Sequence, residues 1–344
     1  MDLNNRADWA KALKDGAPLA QVLATPVVAP AAPVAAPTQT MVLPISTKNL
    51  PGLHVGRGYR FGNLDWFPVW TDAPQGVRNY TTKTSAASVR VSELSDANVS
   101  GLQIENSGSK HVLLLEGTLL EGGWQHRALT RSVFVPAHST QHLPVVCVEQ
   151  GRWGGAHNQA LGQKLAPARV RAAMRGMHKR TDGVYQASAD QGKVWGEIHK
   201  YQAELRCGNA TDSYVEMRDQ IDREMHALEE AKALVGQRGV IVAINGQPVA
   251  LELFDHSSTL SERLDAILRG FLPDAMSMPY VETPSRRARR FADRVVQIGV
   301  TESESTDRKR NKPDAVVAAE ALFNQNTLLH LSALNARHSL VLAA

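Results

Sequence analysis

The stretch HVLLLEGTLLEGGWQHR, residues 111–127, decides how the chain folds. Val112, Leu113, Leu114 and Leu115 form an unbroken apolar run, the mark of a central strand covered on both faces. The run ends at Glu116. Gly122 and Gly123 then turn the chain back, because glycine reaches backbone conformations closed to other residues. Working outward, short apolar runs recur at Met41–Ile45, Phe67–Trp70, Ser88–Val91, Gly101–Asn106, Arg131–Val135 and Leu143–Glu149. Gly, Pro, Asn and Ser punctuate them at the intervals of a layered antiparallel sheet.

After Trp153 the texture turns helical. Pro167 is placed to open a helix over Ala168–His178. Ser188 with Gln191 forms a capping box for a helix running toward Arg206, and Ser213 with Glu216 forms another. In the second helix Tyr214, Met217, Ile221, Met225, Leu228 and Leu234 keep a 3–4 spacing. GVIVAINGQPVALELF, residues 239–254, spells a hairpin, since Asn245-Gly246 supplies the positive φ values of a type I′ turn. Thr259 with Glu262 predicts a helix to Phe271, and Leu328–Leu334 with Ser339–Leu342 predicts a closing strand pair. The chain therefore reads as α+β. A β-rich antiparallel half over 41–155, sandwich- or barrel-like, precedes a helical half over 156–344 that carries the late hairpin 239–254. The two halves form a single domain over 41–344.

Of the 344 residues, 43% are hydrophobic and 21% charged, which excludes wholesale disorder. Two cysteines, Cys147 and Cys207, supply neither a disulfide framework nor a CxxC zinc pair, so a reduced, cytoplasmic setting is expected. Net charge is +4; nine basic against four acidic residues give +5 between Pro284 and Lys312, leaving the remainder near neutral. A basic run confined to one stretch reads as a solvated surface excursion and argues against a nucleic-acid reader. The N-terminus lacks the order of a signal peptide. Asn4–Asp15 reads as a short helix with Trp9, Ala10 and Leu13 on one face. Thr25–Pro37, with four Pro and five Ala in thirteen residues, reads as a semi-rigid tether. Residues 1–40 are thus expected to be a tethered helix, a tail or a docking peptide for a protein partner or a second copy. No apolar run is long enough to span a membrane.

Chemistry concentrates between Glu116 and Trp153. Strand ends beside a Gly-Gly turn are common places for active-site side chains. Glu116, Glu121 and Glu149 are candidates for acid/base work, while Gln125, Arg127, Gln150, Arg152 and Trp153 offer amides, guanidinium clamps and a stacking surface for a small polar ligand. In PVVCVEQGRW, residues 144–153, alternation sets Val145, Cys147 and Glu149 on one face. Cys147 between valines reads as a buried, inert thiol. His138 and His142 stand between Pro136 and Pro144, where no helix can make them converge on a metal. His330 inside an apolar run reads as a core histidine. No metal or cofactor is expected, and phosphate loops, G-x-S-x-G elbows and H-E-x-x-H are missing from the sequence.

The two quoted runs resemble the ARG and Rhodanese-Phosphatase-superfamily-associated protein domain: an apolar strand, an acid-Gly pair, GG-x-Q-x-R and a PVxCVEQGRW-like element. Lys193-Val194-Trp195, the hairpin and His330-Leu331 agree with it, over roughly residues 45–344. Trp124 departs from the polar residue of the family pattern. The resemblance implies a prokaryotic conflict-system setting beside ADP-ribosylglycohydrolases and rhodanese-like phosphatases, and hence an ADP-ribose-like or nucleotide-derived ligand. Two readings stay open: an enzyme using the glutamates, or a binding module or scaffold in which Glu121 or Glu149 only pairs with an arginine. If Val112–Glu116 and Leu143–Glu149 are neighbours in one sheet, Glu116 and Glu149 meet at a shared cleft.

Overall fold

Val112, Leu113, Leu114 and Leu115 serve two cores at once. The computed structural model describes residues 50–83, 89–95, 98–176, 180–181, 184–185, 191–305, 307–311 and 316–342. In it the strand His111–Leu114 lies between Val133–Val135 and Tyr80–Thr81 in a three-stranded sheet. Val112 and Leu114 pack with Leu102, Ile104, Leu129 and Val145, whereas Leu113 and Leu115 pack with Phe254, Leu264 and Phe271. Period-two alternation accounts for the split, and burying each such side chain contributes about 1.5–3 kcal/mol.

The first of these cores fills a closed antiparallel barrel. Its strands run Ser139–Cys147, Gly101–Asn106, Val89–Ser92, Asn158–Leu165, Thr118–Gly122 and Arg127–Leu129 around the circle. Of the sandwich and the barrel, the chain forms the barrel, which leaves no unpaired edges. Asn158–Leu165 corrects the expectation of helix directly after Trp153. It pairs with Val89–Ser92 on one side and Thr118–Gly122 on the other, and so closes the circle.

The second core covers one face of a nine-stranded antiparallel sheet. The first half supplies Leu53–Val55, Tyr59–Phe61 and Leu64–Thr71. The second half supplies Gly239–Ile244, Gln247–Phe254, Glu302–Ser305, Arg308–Arg310, Val317–Asn324 and Thr327–Asn335. The second half carries helices as expected and also builds most of the larger sheet. Its hairpin turns as expected, with Asn245 at φ 51° and Gly246 at φ 74°.

The helix Ala168–Gly176 starts after Pro167, and Ser213 caps Tyr214–Glu224 by accepting from Glu216 N at 3.2 Å. That helix ends at Met225, short of Leu228 and Leu234. Ser257–Gly270 begins ahead of Thr259, because His256 Nδ1 takes the capping bond from Ser258 N at 3.2 Å. Ser339–Leu342 is helical, and Thr327–Asn335 pairs with Val317–Asn324 instead. The first part of the basic segment is no surface excursion. It forms the helix Ser285–Ile298, whose Ala288, Phe291, Ala292 and Val295 pack on the second face of the sheet with Leu251, Leu253 and Leu331.

Among the described residues no helix is long and apolar enough to cross a membrane. The N-terminal helix, the Pro/Ala tether, the Met41–Ile45 strand and the Ser188 cap lie outside the described residues.

Candidate functional site

Glu252 and Phe254 leave the strand Gln247–Phe254 on one face, and Ser332 and His330 stand directly opposite them on the neighbouring strand. The next strand continues both rows with Glu320 and Leu322, and the one beyond adds Arg310 and Arg308. A polar row thus crosses four strands, three of which read as apolar when taken singly.

One helix closes over this row. Arg171 and Arg175 are four residues apart and share a helix face. Arg171 Nη2 donates to Glu252 Oε1 and Ser332 Oγ, both at 2.7 Å, and to Glu116 Oε2 at 3.2 Å. Arg175 grips Glu116 with Nε at 3.0 Å and Nη2 at 2.8 Å. Glu116 reaches them from the turn Leu115–Thr118, closed by a 3.0 Å bond from Thr118 N to Leu115 O with Gly117 at φ 81°. The two carboxylates and two guanidinium groups balance in charge. Burial by itself would raise both carboxyls, but Arg175 and Arg171 at Glu116, and Arg171 and His330 at Glu252, outweigh it and hold both groups below the ordinary range.

His330 connects this charge network to a hydroxyl. Its Nε2 stands 2.9 Å from Glu252 Oε2, and its Nδ1 stands 2.8 Å from Ser132 Oγ. An ionised carboxylate only accepts, so Nε2 carries a proton; in the neutral imidazole Nδ1 then turns a lone pair to the serine hydroxyl. Glu116 N donates to the same Oγ at 2.9 Å. Phe254 stacks on the imidazole with centroids 4.7 Å apart and planes at 21°. A hydroxyl, an imidazole and a carboxylate are therefore in line. A cavity of about 20 Å³ adjoins Ser132 and His330, with Arg131, Arg308, Lys309 and Arg310 in its wall beside the carboxylates of Glu116 and Glu320, the latter paired with Arg310 at 3.0 Å. It has room for one water or one substrate oxygen.

The second cluster gathers Gln125, Arg127, Glu149 and Arg152. Arg152 forks onto Glu149, with Nε 2.9 Å from Oε1 and Nη2 2.7 Å from Oε2. Thr211 Oγ1 and His126 N, each at 2.9 Å, supply the other donors to that carboxylate. Burial opposes the charge, yet these donors hold the Glu149 carboxyl below its ordinary range. Arg152 also donates to Gly123 O at 2.8 Å and Gly122 O at 3.1 Å, so it clasps the Gly-Gly turn. Gln125 Nε2 donates to Glu149 O at 3.2 Å, and Arg127 Nη1 donates to Gln125 Oε1 at 2.6 Å. Glu121, Gln150 and Trp153 are half-buried at its margin, Glu121 lying 4.0 Å from Lys164 Nζ.

Glu116 and Glu149 do not share partners. The strands that precede them, His111–Leu114 and Ser139–Cys147, belong to different sheets, which removes the premise of a cleft shared through neighbouring strands. Cys147 and Cys207 are free and buried, and burial pushes the Cys147 thiol up despite the nearby Arg127. Among the described residues no group of three His, Cys, Asp or Glu side chains is placed to hold a metal ion.

Sequence reasoning passed over Ser132 and Glu252, while its reading of His330 as a satisfied core histidine holds: the residue is buried and both ring nitrogens have partners. The signal was Glu252 within Val249–Phe254 and His330 with Ser332 within Leu328–Leu334. A carboxylate and a histidine spaced to share one face of adjacent strands must satisfy each other or a partner.

The family model for the ARG and Rhodanese-Phosphatase-superfamily-associated Protein domain matches residues 52–334. No curated protein and no solved structure matches the chain.

Proposed function

The chain belongs to the ARG and Rhodanese-Phosphatase-superfamily-associated Protein domain family, and from that premise we propose that it is a hydrolase of small anionic esters acting through Ser132, His330 and Glu252. The observation that carries this reading is the unbroken chain from Ser132 Oγ through the imidazole to Glu252, at 2.8 and 2.9 Å. In the reaction the Ser132 proton passes to His330 Nδ1 as Oγ attacks the ester carbonyl. The imidazolium then protonates the departing alcohol, and water, deprotonated by His330, releases the acid from Ser132. Glu252 keeps the imidazole in its acceptor tautomer and balances the imidazolium. The four cations of the cavity wall outnumber its two carboxylates, and this excess favours an anionic substrate, in line with the nucleotide-derived, ADP-ribose-like class that the resemblance implies.

In this reading Glu116 contributes its N–H to the nucleophile and its carboxylate to Arg171 and Arg175. Glu149, Arg152, Gln125 and Arg127 brace the barrel end, and Glu121, Gln150 and Trp153 form the face where a polar ligand would touch that brace. The substrate enters by displacing the long side chains at the mouth, since the enclosed space holds only its reacting oxygen.

A second reading is a non-catalytic binding module. The observation in its favour is the charge-balanced Glu116–Arg171–Arg175–Glu252 network, which is complete without any ligand. Incubation with p-nitrophenyl acetate and with acylated nucleotide esters separates the two. Turnover that disappears in Ser132→Ala supports the hydrolase; stabilisation by nucleotides with no turnover supports the binder.

A further inference from the structure

A larger cleft opens on the other face of the sheet. Leu253 and Phe254 are consecutive strand residues and point to opposite faces, so a cleft walled by Leu253 lies away from His330. It encloses about 420 Å³ between Pro51, Pro74, Leu253, Phe323 and Leu328. That is the size of ordinary small-molecule sites. Arg238 and Asp255 are the charged residues of its wall.

Arg238 is held from behind. Its Nε donates to Phe254 O at 3.0 Å and its Nη1 to Ala73 O at 2.5 Å, both neutral acceptors. The residue is 8% exposed, and among the described residues no carboxylate forms an ion pair with it. A guanidinium so placed has no direct partner of opposite charge, and burial lowers its pKa although the Asp255 carboxylate acts the other way. Asp255 is close enough to interact electrostatically with Arg238 but stands on its own support, the Tyr80 hydroxyl, which Thr259 Oγ1 steadies at 2.7 Å. The cleft thus joins apolar walls, one guanidinium without a direct ion pair and one acid that disfavours a second negative charge.

We propose that this cleft binds a small organic acid, with the ligand carboxylate on Arg238 and its apolar body against Leu253, Phe323 and Leu328. A single negative charge fits. A phosphate monoester carries more charge than Arg238 alone can match and would face Asp255 as well. The site is independent of the hydrolase reading, since none of its residues belongs to the Ser132 network.

The test titrates the full chain with 4-phenylbutyrate, 4-phenylbutanol and phenyl phosphate by calorimetry. The acid should bind at about 1 mM or tighter, and the alcohol and the phosphate at least about tenfold more weakly. Gly76 lines the cleft, and a Cβ built there meets no atom within 4 Å. Gly76→Trp should therefore fold normally, with an unchanged melting temperature, and bind the acid about tenfold more weakly or worse. Arg238→Met should erase the preference for acid over alcohol; if it fails to fold, Gly76→Trp decides. Ser132→Ala should bind as the wild type does, which separates this proposal from the fate of the hydrolase. No binding of the acid, equal binding of acid and alcohol, or undiminished binding in Gly76→Trp would overturn it.

Discussion

His330 and Glu252 meet on the diagonal of two antiparallel strands: Glu252 lies opposite Ser332 and His330 opposite Phe254, yet the imidazole Nε2 reaches the carboxylate at 2.9 Å. The diagonal leaves Phe254 beneath the ring and Ser332 beside the carboxylate. One register thus fixes the imidazole's plane, its tautomer and its direction toward Ser132.

Glu252→Gln tests the tautomer argument. The amide keeps the shape but offers a donor as readily as an acceptor, so the ring is no longer held with Nδ1 as the acceptor. Ester turnover should fall by about 10³-fold or more, as when the carboxylate of such a triad becomes an amide. Steady-state kinetics on the folded variant, checked by circular dichroism, measures this. Turnover within a few-fold of wild type would reduce Glu252 to a structural partner.

Arg152→Met tests the brace. It leaves the Glu149 carboxylate buried without its fork, and removing one partner of a buried pair costs about 3–5 kcal/mol. Urea denaturation should show that loss, while turnover per folded molecule stays at the wild-type level. A stable variant lacking activity would instead move the chemistry to the Glu149 cluster.

Asp274 gives the stability of the fold a pH dependence of its own. It is buried, accepts the Tyr201 hydroxyl and accepts Ala168 N at 2.6 Å, and burial pushes its carboxyl up to about 6 from an ordinary 3.8. Between these values the folded protein keeps a proton that the unfolded chain gives up. Its contribution is therefore fully present below 3.8 and is lost as pH rises through about 6. Glu116 and Glu252 act in the opposite sense, since their carboxyls are lowered by folding; their contribution is full above 4.5 and fades as the medium grows more acid. The imidazoles of His126 and His338, lowered by burial, act against Asp274 over the same range, so the comparison decides: relative to Asp274→Asn, the wild type should lose melting temperature between pH 5 and pH 7.5. An equal slope in the variant would rule out Asp274 as its source.

Much of the fold is written in local signals. Asn245-Gly246 turns its hairpin, Ser213 caps its helix, and the apolar run from Val112 divides between two cores, each by chemistry confined to a few residues. The barrel was harder to read. Asn158–Leu165 carries polar residues at four of its eight positions and becomes a strand through partners near residues 90 and 120. Local propensity does not encode such long-range pairing. The start of Ser257–Gly270 was hidden for another reason: a histidine ring, not the usual hydroxyl or carboxylate, caps it. At the site, Glu116 and its turn were legible from the acid-Gly pair, but Ser132 and Glu252 gain meaning only once four strands are aligned.

The nucleophile is where the account is most exposed. Wild-type protein treated with a fluorophosphonate probe and digested should carry the label on Ser132 alone, and labelling should abolish p-nitrophenyl acetate hydrolysis in proportion. Ser132→Ala should abolish both and leave the melting temperature within a few degrees of wild type, since only two hydrogen bonds of about 1 kcal/mol each are lost. An unlabelled Ser132 in folded protein, or full hydrolysis by Ser132→Ala, would contradict the assignment of this site.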